Sequence, residues 1–394
     1  MKIKKLIALG LCAAMVSGMT VAPVFAAEEA TEDAAETEDA AAEEEATTED
    51  AADPAAQFEG LKANEAYEFP MMVKSFQSTY WQAAVEGMQK AADELGVTFT
   101  AQGPNSESDI ADQVNMINTA IAAKPVGMGL AACDTSSVTD ALKKCAADGI
   151  PVVTFDTGVA DAPEGSVVAE VVTDNAQAGA VAAENMYAAI KDVIANAEGQ
   201  VIIGEVNQDA TAQNIQQRGN GFIAKMIELC TDAGKKVAVV GNEFYVNAAE
   251  GAVAEAEADV IIEVGVPAQT TPDLAATEAQ KIMSKKDTIA IFGSNQVTAE
   301  GVIQANNTLN VLDADPAKGI VAAGFDAGTP QKEAIKSGKF IGSVTQSPLM
   351  MGYKCIYTLT DICEDKEVSD IPMDGYWYTA ETMDSEDIAP NLYD

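Results

Sequence analysis

From residue 66 onward, short apolar runs alternate with longer stretches whose apolar positions recur every three or four residues. Residues 67–74 read as a strand. Behind it, Trp81, Ala84, Val85, Met88, Ala92 and Leu95 form one stripe, which predicts a helix stopped by Gly96. Strands follow at 97–101, 126–131 and 150–155, with helices at 109–123 and around Val138, Ala141, Leu142 and Cys145. A second series repeats the scheme. It has helices at 176–194 and 211–230 and strands at 201–206, 288–292, 320–325 and 340–345, with helices between the later strands. Residues 237–240 and 260–264 read as strands around an Ala-Glu-rich helix. Strands alternating with helices imply parallel sheets covered on both faces. Two such series predict an α/β protein of two doubly wound, Rossmann-like lobes.

The flanks and the composition narrow the picture. Lys2, Lys4 and Lys5 precede an apolar run, and Val24-Phe25-Ala26 fits a small-residue cleavage site, so residues 1–26 read as a signal peptide. Cys12 raises the alternative of a lipid anchor, but Leu11 before it is not a small residue, which favours ordinary cleavage. An extracytoplasmic protein is expected, in the periplasm, at the cell surface or secreted. Residues 27–56 hold thirteen Asp and Glu and no Lys or Arg, the composition of an acidic solvated linker. Removing those thirteen from the net charge of −39 leaves −26 elsewhere, and no basic run exists outside the signal. A nucleic-acid partner is therefore not expected.

The chain has no His. That excludes Ser-His-Asp and Cys-His catalysis and His-ligated metal sites, and no cofactor or metal is expected. Cys133, Cys145, Cys230, Cys355 and Cys363 remain after signal removal, an odd number that leaves at least one thiol free. Cys355 and Cys363 on one helix would stand roughly 12 Å apart along its axis, too far for a disulfide. Asp313, Asp315 and Gly319 partly match a calcium loop, but the later ligand positions are missing and a turn is the simpler reading.

Chemistry concentrates where ligands bind in open α/β sheets, beyond the carboxyl ends of the strands. Those ends lead to Ser78, Tyr80, Trp81, Asp156, Thr157, Asn295, Asp326 and Gln346. Taken singly, Asp and Asn there serve equally well as helix caps or turn residues. Arg218 falls on the inward stripe of its helix, between Ile215 and Phe222, as a structural ion pair or as a fork of donors aimed into a cleft. Tyr80 lies off the apolar stripe that Trp81 begins. Asp156 and Asp326 sit in related stretches, VVTFDTG and AAGFDAG. They suggest the two carboxylates of an aspartic-type hydrolase, but those enzymes are all-β, and here each Asp closes a strand of an α/β unit.

The stretches SFQSTYWQAAVEG, PVVTFDTG, VVTDNAQAG, NIQQRGNGF, IFGSNQ, AAGFDAGTP and GSVTQSP, in this order, resemble the periplasmic ribose-type sugar-binding proteins of ABC transporters. The resemblance covers nearly all of the chain after residue 65. It implies a type I periplasmic binding protein fold, with lobes at 57–173 plus 347–372 and at 174–346 plus 373–394. A three-strand hinge would cross near Thr173, Gln346 and Val368. It also implies a non-enzymatic, monomeric protein that captures a small sugar or polyol and delivers it to a membrane permease. A sensory receptor of the same fold is the alternative. Tyr80 and Trp81 would sandwich the sugar ring, and Asp156, Arg218, Asn295, Asp326 and Gln346 would bind its hydroxyls. The chain departs from the family pattern at Thr157, where the ribose binders have Arg, and at Ser78, where they have Asn. Residues 239–263 look like an insertion, which leaves the contact expected at 268–271 undetermined.

Overall fold

The computed structural model describes residues 62–393. The signal, Cys12 and the acidic linker lie outside them. The first series runs β1 (Glu68–Met72), α1 (Thr79–Leu95), β2 (Thr98–Gln102), α2 (Ile110–Ala122), β3 (Met128–Leu130), α3 (Thr139–Asp148), β4 (Val152–Phe155) and β5 (Val167–Thr173). The second runs α4 (Asn175–Asn196), β6 (Val201–Val206), α5 (Gln213–Asp232), β7 (Val237–Gly241), α6 (Glu243–Ala248), β8 (Val260–Gly265), α7 (Pro272–Met283), β9 (Thr288–Gly293), α8 (Gln296–Leu309), β10 (Val321–Phe325), α9 (Thr329–Lys336) and β11 (Phe340–Thr345). The chain closes with α10 (Pro348–Cys363), β12 (Ile371–Met373) and β13 (Tyr376–Tyr378).

These elements build two sheets, in the orders β12-β5-β4-β3-β1-β2 and β13-β11-β10-β9-β6-β8-β7. All pairings are parallel except that of β13 with β11. The central strands are buried on both faces, which is why Val152–Phe155 and Val321–Phe325 carry no polar alternation. Helix α1 shows how the stripe pattern becomes structure. The Ser78 hydroxyl caps its start by accepting from the Tyr80 N–H, and Gly96 ends it in the left-handed conformation at φ 75°. Its inward face packs Trp81, Ala84, Met88 and Leu95 against Phe155, Met351 and Tyr353. In the second lobe, Phe222 stacks on Phe292 at 4.6 Å, between Met226, Phe325 and Val344.

The chain passes between sheets three times. It leaves β5 for α4, leaves β11 for α10, and leaves β12 for β13 at residues 374–375, later than the Val368 the resemblance implied. Two bonds tie these passages together. The Thr173 hydroxyl donates to Gln346 Oε1 at 2.8 Å, and the Asp174 N–H to the Met373 carbonyl at 2.9 Å. The unmatched stretch 239–263 is part of the second sheet. β7 adds an edge strand on β8, and α6 carries Tyr245 into the core.

Among the described residues no helix is long and apolar enough to cross a membrane, and no cluster of acidic or sulfur ligands suits a metal. The Asp315 N–H donates to Asp313 Oδ1 at 3.0 Å, and the Asp315 carboxylate pairs with Lys318. The five cysteines among the described residues are free thiols, and burial pushes Cys145 and Cys230 up to about 11.

Candidate ligand-binding site

The carboxyl ends of both sheets face one narrow cavity of about 30 Å³. Its wall includes Lys74 after β1, Ser78, Tyr80 and Trp81 at the start of α1, Glu107 after β2 and Asp156 after β4. The second lobe contributes Gln208 after β6, Asn214 and Arg218 on α5, Asn295 and Gln296 at the start of α8, and Asp326 after β10. Gln346, at the second passage between lobes, completes it.

The two Phe-Asp-x-Gly turns are built alike. Asp156 and Asp326 both take left-handed backbone angles, φ 60° and 74°, uncommon for a residue with a Cβ. Each donates its N–H to the neighbouring strand, Asp156 to the Val171 carbonyl at 3.0 Å and Asp326 to Val344 at 2.6 Å. That kink turns each carboxylate inward. Asp156 Oδ1 accepts from the Tyr80 hydroxyl at 2.6 Å, and Oδ2 from Thr157 at 2.7 Å and Asn214 at 3.1 Å, with Lys74 Nζ at 3.5 Å. Asp326 accepts from the Gln346 amide at 2.8 Å and the Gln296 N–H at 2.9 Å. Each carboxylate thus has its own donors, and the repeat reflects two similar lobes. The hydrolase alternative fails on this geometry and on the parallel α/β topology.

Arg218 is 1% exposed. Its Nε and Nη2 donate to Asn175 Oδ1 at 3.2 and 2.7 Å, and Nη1 to the Ser294 carbonyl at 2.8 Å. The guanidinium carbon sits 3.5 Å from the centre of the Phe325 ring. Neutral acceptors and an aromatic face therefore fix it, rather than an ion pair. Three of its five N–H groups are spent on those bonds, and the fork borders the cavity. Burial lowers its pKa, with Asp326 and Asp156 opposing the shift. For Lys74, burial works against the charge, yet Asp156, Glu107 and Asp209 together hold the ammonium above its ordinary value. Burial raises the Asp326 carboxyl, against the pull of Arg218. It raises Glu107 too, although Lys74, Trp81 and Gln208 favour its charge.

Several bonds join the lobes directly. Lys74 donates to Asn214 Oδ1 at 3.1 Å, Ser78 to Gln296 Oε1 at 2.6 Å, and Gln208 to Glu107 Oε2 at 2.8 Å. Trp81 Nε1 donates to the other oxygen of Glu107 at 2.9 Å. The lobes are closed on each other through these contacts.

Eight of the nine residues expected from sequence border the cavity. The exception is Thr157, whose hydroxyl is turned back onto Asp156. The aromatic pair also differs from a sandwich. The Tyr80 and Trp81 rings meet edge to face at 5.0 Å and 82°, leaving no slot between them. Tyr80 is buried, and its ring meets that of Tyr393 at 5.9 Å. Asn295 is a wall residue and a helix cap at once, since it accepts from the Thr298 N–H in a capping box. Sequence reading passed over Lys74, Glu107, Gln208, Asn214 and Gln296. Two signals were available. Lys74 ends the first apolar run, and Asn214 stands one helical turn before Arg218. Residues 268–271 are not among the residues lining the cavity. The Thr270 N–H donates to Ser108 of the other lobe at 2.8 Å.

Comparison with known proteins gives a consistent set. The periplasmic binding protein domain matches residues 69–367. The ribose import binding protein RbsB of Haemophilus influenzae is 26% identical over 307 residues, 77% of this chain and 88% of its own. An ABC transporter solute-binding protein from Agrobacterium vitis, solved with bound D-fucose, superposes with a TM-score of 0.67 at 28% identity, covering 83% of this chain and 100% of that one. A Brachyspira murdochii protein described as an ABC transporter, LacI family transcriptional regulator, gives a TM-score of 0.67 at 27% identity, covering 84% and 99%.

Proposed function

The chain belongs to the periplasmic binding protein family, and from that premise we propose that it captures a small sugar or polyol between its lobes for an ABC import system. One observation carries this reading. Polar side chains from the strand ends of two separate sheets meet around one small buried cavity, at the place where open α/β sheets bind ligands. The wall mixes amide, hydroxyl and charged groups with two aromatic rings, which suits a guest whose hydroxyls each donate and accept while its C–H faces lie on apolar surface. Lys74 and Arg218 face three carboxyl groups, Asp156, Asp326 and Glu107, so the wall disfavours an anionic guest. The wall has no metal cluster and no His. Capture without chemical change is the reading that the likeness to import binding proteins supports.

The mechanism is closure. Lobes hinged at three strands swing apart, the sugar enters, and closure brings Asp156 and Lys74 of one lobe together with Arg218, Asn295 and Asp326 of the other. Ligand binds the closed form better than the open form, and that difference shifts the equilibrium. A sugar of about ten heavy atoms can reach micromolar affinity, about −8 kcal/mol, within the per-atom ceiling. Family membership supports a location outside the cytoplasm. A monomer docking its closed face on a membrane permease completes the proposal. Calorimetry against a panel of pentoses, hexoses and polyols is the direct test. Saturable heat with at least one sugar, recovered unchanged, supports it. Silence across the panel, or recovery of a converted sugar, overturns it.

A further inference from the structure

Central strand β6 carries an acid in its core. Glu205 is 0% exposed, between β8 and β9, and its Oε1 accepts from Asn207 Nδ2 at 2.9 Å. The two residues are two apart on one face of the chain. Glu205 Oε2 and Asn207 Oδ1, the other ends of the same two groups, are both buried and have no partner. If Glu205 were a carboxylate, both would be buried, unsatisfied acceptors, which folding disfavours. A single proton on Oε2 satisfies the pair.

Among the described residues no donor is bonded to either oxygen. Helix α5 lies directly over the pair at Gly219, where a Cβ would come within 2.6 Å of the Tyr245 ring, 2.7 Å of Asn207 Nδ2 and 2.9 Å of Glu205 Oε1. The titratable groups of the neighbouring elements are engaged elsewhere. On α5, Arg218 is turned to Asn175 and Ser294. On α6, the Tyr245 hydroxyl donates to the carbonyls of Asp209 and Ile215 at 3.0 and 3.3 Å. In the loop after β6, Asp209 accepts from the Thr211 and Ala212 N–H groups. On β8, Glu263 pairs with Lys285, and β9 has no titratable side chain. Burial pushes the Glu205 carboxyl well above the ordinary range, offset in part by the Asn207 bond.

We propose that Glu205 is a positioning residue kept as the neutral acid, donating Oε2–H to Asn207 Oδ1 while Asn207 Nδ2 donates to Glu205 Oε1. The pair acts on the cavity from behind. Asn207 is followed by Gln208, which reaches Glu107 and Asn295, and Gly219 above it is preceded by Arg218. Losing the proton would strand two buried acceptors, Glu205 Oε2 and Asn207 Oδ1, beneath that wall.

The sign follows from linkage. An acid whose folded pKa is raised binds more proton when folded, so stability falls as pH rises from the unfolded value, about 4.3, toward the folded one. Glu205→Gln offers the same reciprocal bonds with a group that does not titrate. Thermal unfolding of the mature protein, its Glu205→Gln variant and its Asn207→Leu variant, from about pH 5 to about pH 9, reads this out. The Gln variant is expected to fold, and its Tm advantage over the parent should widen with pH. The parent-minus-variant infrared difference at neutral pH should contain a carboxylic-acid C=O band. Asn207→Leu should lower Tm at every pH, and the band should persist in it. A constant gap between parent and Gln variant, a carboxylate signal in the difference, or a Gln variant that does not fold would each overturn the pair. A sugar-affinity arm, which alone rests on the proposed function, should give Kd within about twofold of the parent for Glu205→Gln and at least about tenfold weaker for Asn207→Leu. Equal affinity loss in both would remove the positioning role while leaving sugar capture intact.

Discussion

Arg218 holds the site together, because it is bonded to Asn175 near the first passage and to Ser294 near α8 while its fork borders the cavity. Arg218→Ala removes charge-assisted donors worth about 1.5–3 kcal/mol each, so Kd should weaken at least about a hundredfold. Circular dichroism must show the variant folded. A folded variant binding as tightly as its parent would remove Arg218 from the site. Arg218→Lys should recover little, because an ammonium cannot reproduce the fork or its stacking on Phe325. Lys74 tests the opposite face. Lys74→Met leaves Asp156 buried with its cation gone, and breaking such a pair costs about 3–5 kcal/mol. The double variant Lys74→Met, Asp156→Asn should unfold at a higher temperature than Lys74→Met alone. The reverse order in thermal melts would show that the pair is not coupled. Arg218 was legible in the sequence because its helix stripe is otherwise apolar. Glu107 and Gln208 were not, because a charged or amide residue just past a strand looks like any solvated loop until a second lobe covers it.

Helices α4 and α5 carry the placement of Arg218. They touch backbone to backbone at two glycines. A Cβ on Gly179 would stand 2.1 Å from the Arg218 carbonyl oxygen, and one on Gly221 would stand 2.2 Å from that of Ala176. Gly221→Val must therefore push α5 away from α4, an overpacking cost of about 1–3 kcal/mol or more. For a chain of this size Tm should fall by about 2–4 °C per kcal/mol. Affinity should fall with it, since Arg218 lies three residues back on the displaced helix. A variant that melts lower but binds unchanged would show that the crossing serves stability alone. The strand-end turns make the same point about local form. Asp156 and Asp326 were legible as strand terminators, and the left-handed angles that turn both inward follow from the bond each N–H makes to the adjacent strand.

Across the whole molecule, the closed arrangement rests on a limited set of polar bonds between lobes, among them Ser78 to Gln296, Lys74 to Asn214 and Gln208 to Glu107. Such bonds compete with water when the lobes part, so each contributes only about 1 kcal/mol net. The three passages between the sheets carry few ties, Thr173 to Gln346 among them. Small-angle scattering should show the radius of gyration falling when a binding sugar is added. Gln296→Ala removes the Ser78 and Thr79 bonds across the gap and should enlarge the ligand-free radius. A radius that ignores both ligand and substitution would mean the lobes do not hinge.

The α/β class, the two series of alternating elements, the excluded His chemistry and most of the wall were written in the chain. Hydrophobic period and strand-end position depend only on local sequence and on a general rule of parallel sheets. The tertiary structure alone decided which of those residues face one another. It turned Thr157 away from the cavity, set Tyr80 edge-on to Trp81, and brought Lys74 to Asn214 across 140 positions of chain. It also placed Glu205, an unremarkable acid in sequence, in a core without a charged partner. The reason is that burial, pairing and ring orientation are properties of the space between lobes, and no local window of sequence contains both sides of that space.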